Sequence, residues 1–372
     1  MDIQHNQTTQ VYVLRACYND DATDLLAIGG EHSVDVLLVT DTLCQTLASF
    51  HVGSRITALA WSSVTISPTS SDDWIIELTA AGSDFGLHLL TKSSMIDEHI
   101  FPFGGGLSGH HGKVTDMVFC GGRGEDSARY VATVSDDKMM MVWDLHPTIM
   151  SSNQPPTPSL SARPQPTAYV IAFPRPLSTI SSHPSTSKEF LISDCHGSIY
   201  ITDWRSDPQD TDPNNWRHSS LVELTEPYAL SGSSLVGLSA HCIGSAAWHR
   251  DTTDIVGAVY GSRFSIWDIS TLRGGKPFTS GVSFSEGGNH FRSIRWCQTY
   301  PDYFAISAQS PETGAVLHVH NTNYTHTAPT VFNLRPKPFL VRDFDFLAMR
   351  GVPRIAAAVG KTVFIFTIGA DA

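Results

Sequence analysis

The sequence predicts an all-β protein whose strands gather into seven small sheets set in a ring. Three observations carry this. Short runs rich in Val, Ile, Leu, Phe and Trp recur along the 372 residues, joined by turns of Asp, Gly, Ser or Asn. Only 16% of residues are charged, too few for a coiled coil, while 41% are hydrophobic, ample for a large core. One unit, residues 109–147, is laid out most clearly. Gly109-His110 opens it, followed by the strand 114–119, a second strand 131–135, an acidic turn Asp136-Asp137 and a third strand ending on Trp143-Asp144.

That order is the order of a WD40 repeat, one blade of a β-propeller. Its physical logic is a buried polar chain. Asp137 can hold the imidazole of His110, which can reach a strand hydroxyl, Ser135 or Thr133, which can reach the indole N–H of Trp143. Buried polar groups must be paired, so such a chain pins the blade's shape. The spacing Ser-x-Asp-x5-Trp-Asp falls on Ser135, Asp137, Trp143 and Asp144. The expected structural tetrad is therefore His110, Ser135, Asp137 and Trp143.

The other blades follow in chain order. The first is expected over 11–40, with apolar runs at 11–17, 25–30 and 34–39. The second, 55–91, has strands at 56–61 and 74–81, a Gly82-Ser83-Asp84 turn and a third strand at 87–90. The fourth, 167–205, is read as 168–173, 189–193, a His196-Gly197 turn and 199–203. The fifth, 242–270, has 244–249, 255–260 and 264–268. The sixth, 290–321, has 291–296, 303–307 and 316–320. The seventh, 338–368, has 339–346, 355–359 and 362–366. Strand-ending Asp144, Asp203 and Asp268 lie further apart than the ~40–45 residues of a WD40 repeat. The excess is assigned to the Pro-, Ser- and Asp-rich stretches 148–166, 174–188 and 206–218, read as surface insertions.

A small sheet cannot bury both faces alone, so blades stack in a ring. The seventh blade lacks an outermost strand after residue 366, and residues 2–10 precede the first inner strand with no other role. They are expected to pair onto the last blade and close the ring, removing an edge that would invite aggregation.

The remaining features restrict function. A formal net charge of −12 argues against direct contact with a nucleic-acid backbone. The six cysteines show no Cys-x2-Cys spacing, and no apolar run follows the initiating Met, so they are read as reduced thiols of an intracellular protein. No apolar run approaches the ~20 residues that cross a bilayer. Phosphate loops, nucleophile elbows, zinc helices and dinucleotide turns are all missing. Gly274-Gly275-Lys276-Pro277 lacks both the leading glycine and the hydroxyl of a phosphate loop. No enzyme activity, cofactor, metal or small-molecule substrate is expected. Asp20-Asp21, Asp72-Asp73 and Asp136-Asp137 sit in turns, where Asp bonds local backbone. Trp61, Trp248 and Trp296 end first strands, and Trp143 and Trp267 end third strands, a recurrence that fits core anchoring. Trp216, in a polar insertion, is the candidate for partner contact.

Beyond a generic propeller, five stretches resemble one family. They are 26–30, 50–62, 109–137, 193–203 and 256–269, and the pattern Phe-His-x-Gly-x-Arg-x4-Ala-Trp on Phe50 to Trp61 is the most diagnostic. They are similar to the small WD40 nucleoporin, about thirty-seven kilodaltons, of the Y-shaped scaffold of the nuclear pore. The resemblance implies a structural subunit at the nuclear envelope that docks on the helical region of the large short-arm nucleoporin. A WD40 adaptor of another assembly, in chromatin or signalling, is the alternative. A receptor role on a cullin adaptor is disfavoured, because Trp143-Asp144-Leu145-His146 and Trp267-Asp268-Ile269-Ser270 lack the Arg of a Trp-Asp-x-Arg motif.

Overall fold

The computed structural model of the protein describes residues 3–147, 164–205, 221–225, 244–261, 263–271, 275–282, 291–308 and 314–369. Trp216, residues 148–163 and all of 206–218 lie outside them. Among the described residues there are twenty-eight strands and one turn of α-helix. The strands form seven antiparallel four-stranded sheets.

Strand β1 (Ile3–Asn6) belongs to the last sheet. Blade 1 is β2 (Val13–Ala16), β3 (Leu25–Gly29), β4 (Ser33–Val39) and β5 (Cys44–His51). Blade 2 is β6 (Ile56–Trp61), β7 (Ile75–Gly82), β8 (Leu87–Ser93) and β9 (His99–Phe103). Blade 3 is β10 (Val114–Phe119), β11 (Tyr130–Ser135), β12 (Met139–Asp144) and β13 (Thr167–Ala172). Blade 4 is β14 (Leu177–Ser182), β15 (Glu189–Asp194), β16 (Ser198–Asp203) and β17 (Leu221–Thr225). Blade 5 is β18 (Ser245–Trp248), β19 (Ile255–Tyr260), β20 (Arg263–Asp268) and β21 (Thr279–Val282). Blade 6 is β22 (Phe291–Trp296), β23 (Tyr303–Ala308), β24 (Ala315–Asn321) and β25 (Thr330–Arg335). Blade 7 is β26 (Val341–Phe346), β27 (Arg354–Val359), β28 (Thr362–Thr367) and, outermost, β1. The first strand of each blade lies innermost, against the first strands of both neighbouring blades.

The core lies between blades, not within them. Seven hydrophobic clusters are each shared by two adjacent sheets. Middle strands are therefore covered on both faces and read as largely apolar runs. In β27 the run Ile355 to Val359 is fully buried, and its three alanines let the next blade approach closely. Gly257 does the same for Trp296, since a Cβ there would lie 2.8 Å from the indole Cζ2. Trp296 is 2% exposed, a burial that contributes on the order of 3 kcal/mol.

The fourth blade differs from the sequence reading. Residues 168–173, expected as its innermost strand, fall instead largely in Thr167–Ala172, the outermost strand of blade 3, which pairs Asp144 with Thr167 and Met140 with Ile171. Tyr169 and Val170 are half exposed there. The true innermost strand is Leu177–Ser182, inside the 174–188 stretch read as an insertion. Four of its six residues are Ser or Thr, because this strand faces its neighbours through hydroxyl groups.

Ring closure uses β1. Ile3 pairs with Ile365 and Asn6 with Thr362, antiparallel. Beyond the ladder, Gln7 N–H donates to the Lys361 carbonyl (2.7 Å) and Val11 N–H to the Gly360 carbonyl (2.9 Å). Gly360, at φ 64°, opens the tight two-residue turn between β27 and β28.

Candidate functional site

In blade 3 a short loop after Gly109 delivers His110 to the end of the sheet, where it is 3% exposed. Its Nδ1 lies 2.9 Å from Asp137 Oδ2. Its Nε2 lies 2.8 Å from the Thr133 hydroxyl, which accepts the Trp143 indole N–H at 3.1 Å. Thr133, not Ser135, therefore occupies the hydroxyl place. Both point to the same face of β11, but Trp143 pairs with Val131, so its ring reaches diagonally to residue 133. Ser135 instead accepts the backbone N–H of Asp137 (3.1 Å) and shapes the turn. Burial pushes the pKa of His110 down, against the pull of Asp137, so the ring is neutral. Both ring nitrogens are engaged, which leaves no lone pair for a metal or a substrate.

The ring centre poses a second problem. Innermost strands of neighbouring blades face one another without a backbone ladder, so their inward N–H groups need acceptors. Side-chain oxygens of the preceding blade supply them. Asp116 accepts from Ile180 N–H (3.1 Å), Thr179 from Ala246 N–H (3.0 Å) and Ser181 from Trp248 N–H (3.1 Å). Across the closure, Asp343 accepts from Leu14 N–H (3.0 Å) and Asp345 from Ala16 N–H (3.1 Å). Tryptophans serve the same joints from the other side. The Trp61 indole donates to the Arg15 carbonyl (2.9 Å) and that of Trp296 to the Ala247 carbonyl (3.0 Å).

These carboxylates also draw cations into the channel. The Arg15 guanidinium spans from Asp343 (2.5 Å) to Asp116 (2.9 Å), tying blade 1 to blades 7 and 3. Burial disfavours its charge, but Asp343 and Asp116 outweigh that and raise its pKa. Tyr18 donates a short hydrogen bond to Asp345. Burial, then the charge of Asp345, pushes the Tyr18 phenol well up. Burial raises Asp345 itself, against Arg295 and Arg15. Arg250 stacks over the Tyr18 ring at 4.1 Å, and Arg295 lies 3.8 Å from Asp343. A hollow of about 860 Å³ opens here, with Arg15, Tyr18, Asp116, Arg250, Arg295 and Asp345 in its wall.

The arrangement braces strands. Charges of opposite sign meet at the centre and are consumed by one another and by backbone N–H groups. Among the described residues, no three His, Cys, Asp or Glu side chains are placed to hold a metal ion. No described helix is long and apolar enough to cross a membrane. Sequence reading missed Arg15, Asp116, Asp343, Asp345 and Thr179. The available signal was Val-Arg-Asp-Phe-Asp-Phe at 341–346, where carboxylates alternate with buried aromatics in a strand that should be apolar.

Fold and braces together define a seven-bladed WD40-type β-propeller. No family model matches the chain. Its sequence is similar to the nucleoporin Nup37 of mouse, 23% identical over 314 residues, covering 82% of this chain and 79% of the relative. Against human Nup37 it is 24% identical over 261 residues, covering 68% of this chain and slightly under two thirds, 64%, of the relative. This homology and the seven blades fit a WD40 nucleoporin. Among solved structures, Raptor of Chaetomium thermophilum matches 99% of this chain and 30% of its own length, with a TM-score of 0.65 at 13% identity. That likeness shows the fold alone.

Proposed function

We propose that the protein is a non-catalytic scaffold subunit of the outer ring of the nuclear pore, at the nuclear envelope, docking on the helical region of the large short-arm nucleoporin. The observation that carries this reading is similarity to Nup37 along 82% of the chain, in a propeller whose central charged groups are engaged with one another. A rigid ring with its polar interior consumed has its loops and rim left for binding. Within it, we assign His110, Thr133, Asp137 and Trp143 to holding blade 3 in shape. The test is affinity purification of the tagged protein from its own cells in moderate salt, with quantitative mass spectrometry. Outer-ring nucleoporins in equimolar amounts are the expected result. Chromatin-complex or signalling subunits in their place would overturn the reading.

A further inference from the structure

In an antiparallel blade the turns joining strands one to two and three to four leave at the same end. At that end, blades 1 and 2 present the loops 17–24, 40–43, 62–74 and 94–98. These loops hold eight carboxylates and no lysine or arginine. They also carry Leu43 (66% exposed), Val64 (40%), Met95 (88%) and Ile96 (64%). The opposite-end loops of the same two blades balance Glu31 and Asp84 against Arg55 and Lys113.

Neighbouring elements answer only part of the acidity. Arg123 pairs with Asp20, Arg354 with Asp41 and Lys92 with Glu98. No basic side chain of the described residues pairs with Asp21, Asp72, Asp73 or Asp97. The loops are also pre-formed. The Asn19 amide donates to the Ser62 and Thr65 carbonyls (2.8 and 3.2 Å), and Ser67 N–H to the Asp21 carbonyl (2.8 Å). Beside them lies a hollow of about 700 Å³ walled by Asp20, Asp24, Asp41, Thr69 and Tyr300, with Arg350, among the described residues, as the one cation against three carboxylates.

We propose that this end of blades 1 and 2 is a docking surface for a helix that carries lysines or arginines beside an apolar stripe. The inference rests on the scaffold reading for the identity of the partner, but not for its chemistry. Isolated apolar side chains among carboxylates call for apolar anchors ringed by cations. The patch is built of turns and offers no free strand edge, so strand addition is not the mode, and an amphipathic helix is. A second copy of the chain would set acid against acid across a two-fold axis. Nucleic acid and anionic lipid are repelled.

Two designed helical peptides with the same leucine stripe serve as probes, one with lysines on its polar face and one with glutamates. Binding to the purified full chain is read by fluorescence anisotropy. The lysine peptide should bind at least ~10-fold more tightly than the glutamate peptide. M95S/I96S should weaken it by ~10-fold, and D72N/D73N/D97N should flatten its salt dependence. L107S, an equally exposed change on another loop, should leave it unchanged. Equal binding by all variants overturns the proposal. So does light scattering that shows a dimer abolished by M95S/I96S, which would assign the patch to a second copy. The purification experiment separates the two readings. Wild-type protein that recovers outer-ring nucleoporins and M95S/I96S protein that still does so would sink this surface and leave the scaffold role standing. Patch-dependent peptide binding with no nucleoporins recovered would do the reverse.

Discussion

Thr133 and Ser135 stand two residues apart on one face of β11, yet only one joins the buried chain from Asp137 to Trp143. T133V keeps the shape and removes the hydroxyl, leaving the indole N–H and His110 Nε2 underpaired. It should cost about 1–3 kcal/mol in urea unfolding, while S135A, which loses a turn contact, should cost under ~1 kcal/mol. The reverse order would sink the assignment. The types His, Asp and Trp were legible because their spacing follows from strand and turn lengths. The hydroxyl was not, because alternation sends positions 133 and 135 to the same side, and only the register of β11 on β12 separates them.

At the scale of strands, legibility followed burial. Middle strands such as β27 are largely apolar and stand out in the sequence. Innermost strands are edges turned toward neighbours, and they carry the oxygen atoms that satisfy the next blade's N–H groups. This is why Leu177-Ser178-Thr179-Ile180-Ser181-Ser182 reads as a loop and folds as β14. The closing strand was legible by subtraction, from a missing outer strand and an unused segment. A chain lacking residues 2–8 should lose about 2–4 kcal/mol and associate with rising concentration, since the β28 edge is bared. Unchanged melting and a strictly monomeric light-scattering signal would show that β1 does not close the ring.

For the whole molecule, buried histidines set the acid limit. Burial lowers the pKa of His88, His110 and His249. His320, stacked on Phe304, is brought down to about 4, by burial first and then by His318. Between about pH 6.5 and 4 the unfolded chain binds protons that the folded ring refuses. Stability is therefore full above that window and lost as the pH falls through it, by about 3 kcal/mol for His320 alone. Urea midpoints measured from pH 7.5 to 4.5 should fall steadily, and H320F should flatten the lower part of the curve. A flat wild-type profile would contradict neutral burial. The channel charges were the least legible feature of all. Arg15 meets Asp116 and Asp343 across 101 and 328 residues of sequence, a distance no local pattern reports.

The pairing of Ile3 with Ile365 also has a consequence in time. On the ribosome the strap is made well before its partner, Ile365 lying 362 residues after Ile3. At ~5–20 residues per second it waits roughly 20–70 s, while the intervening sheets form and stack. Blade 7 is thus the slowest to be completed, whatever the speed of its own hairpins. For that interval the nascent ring is an open arc with a hydrophobic flank at each end, and this is when a chaperone has most to cover.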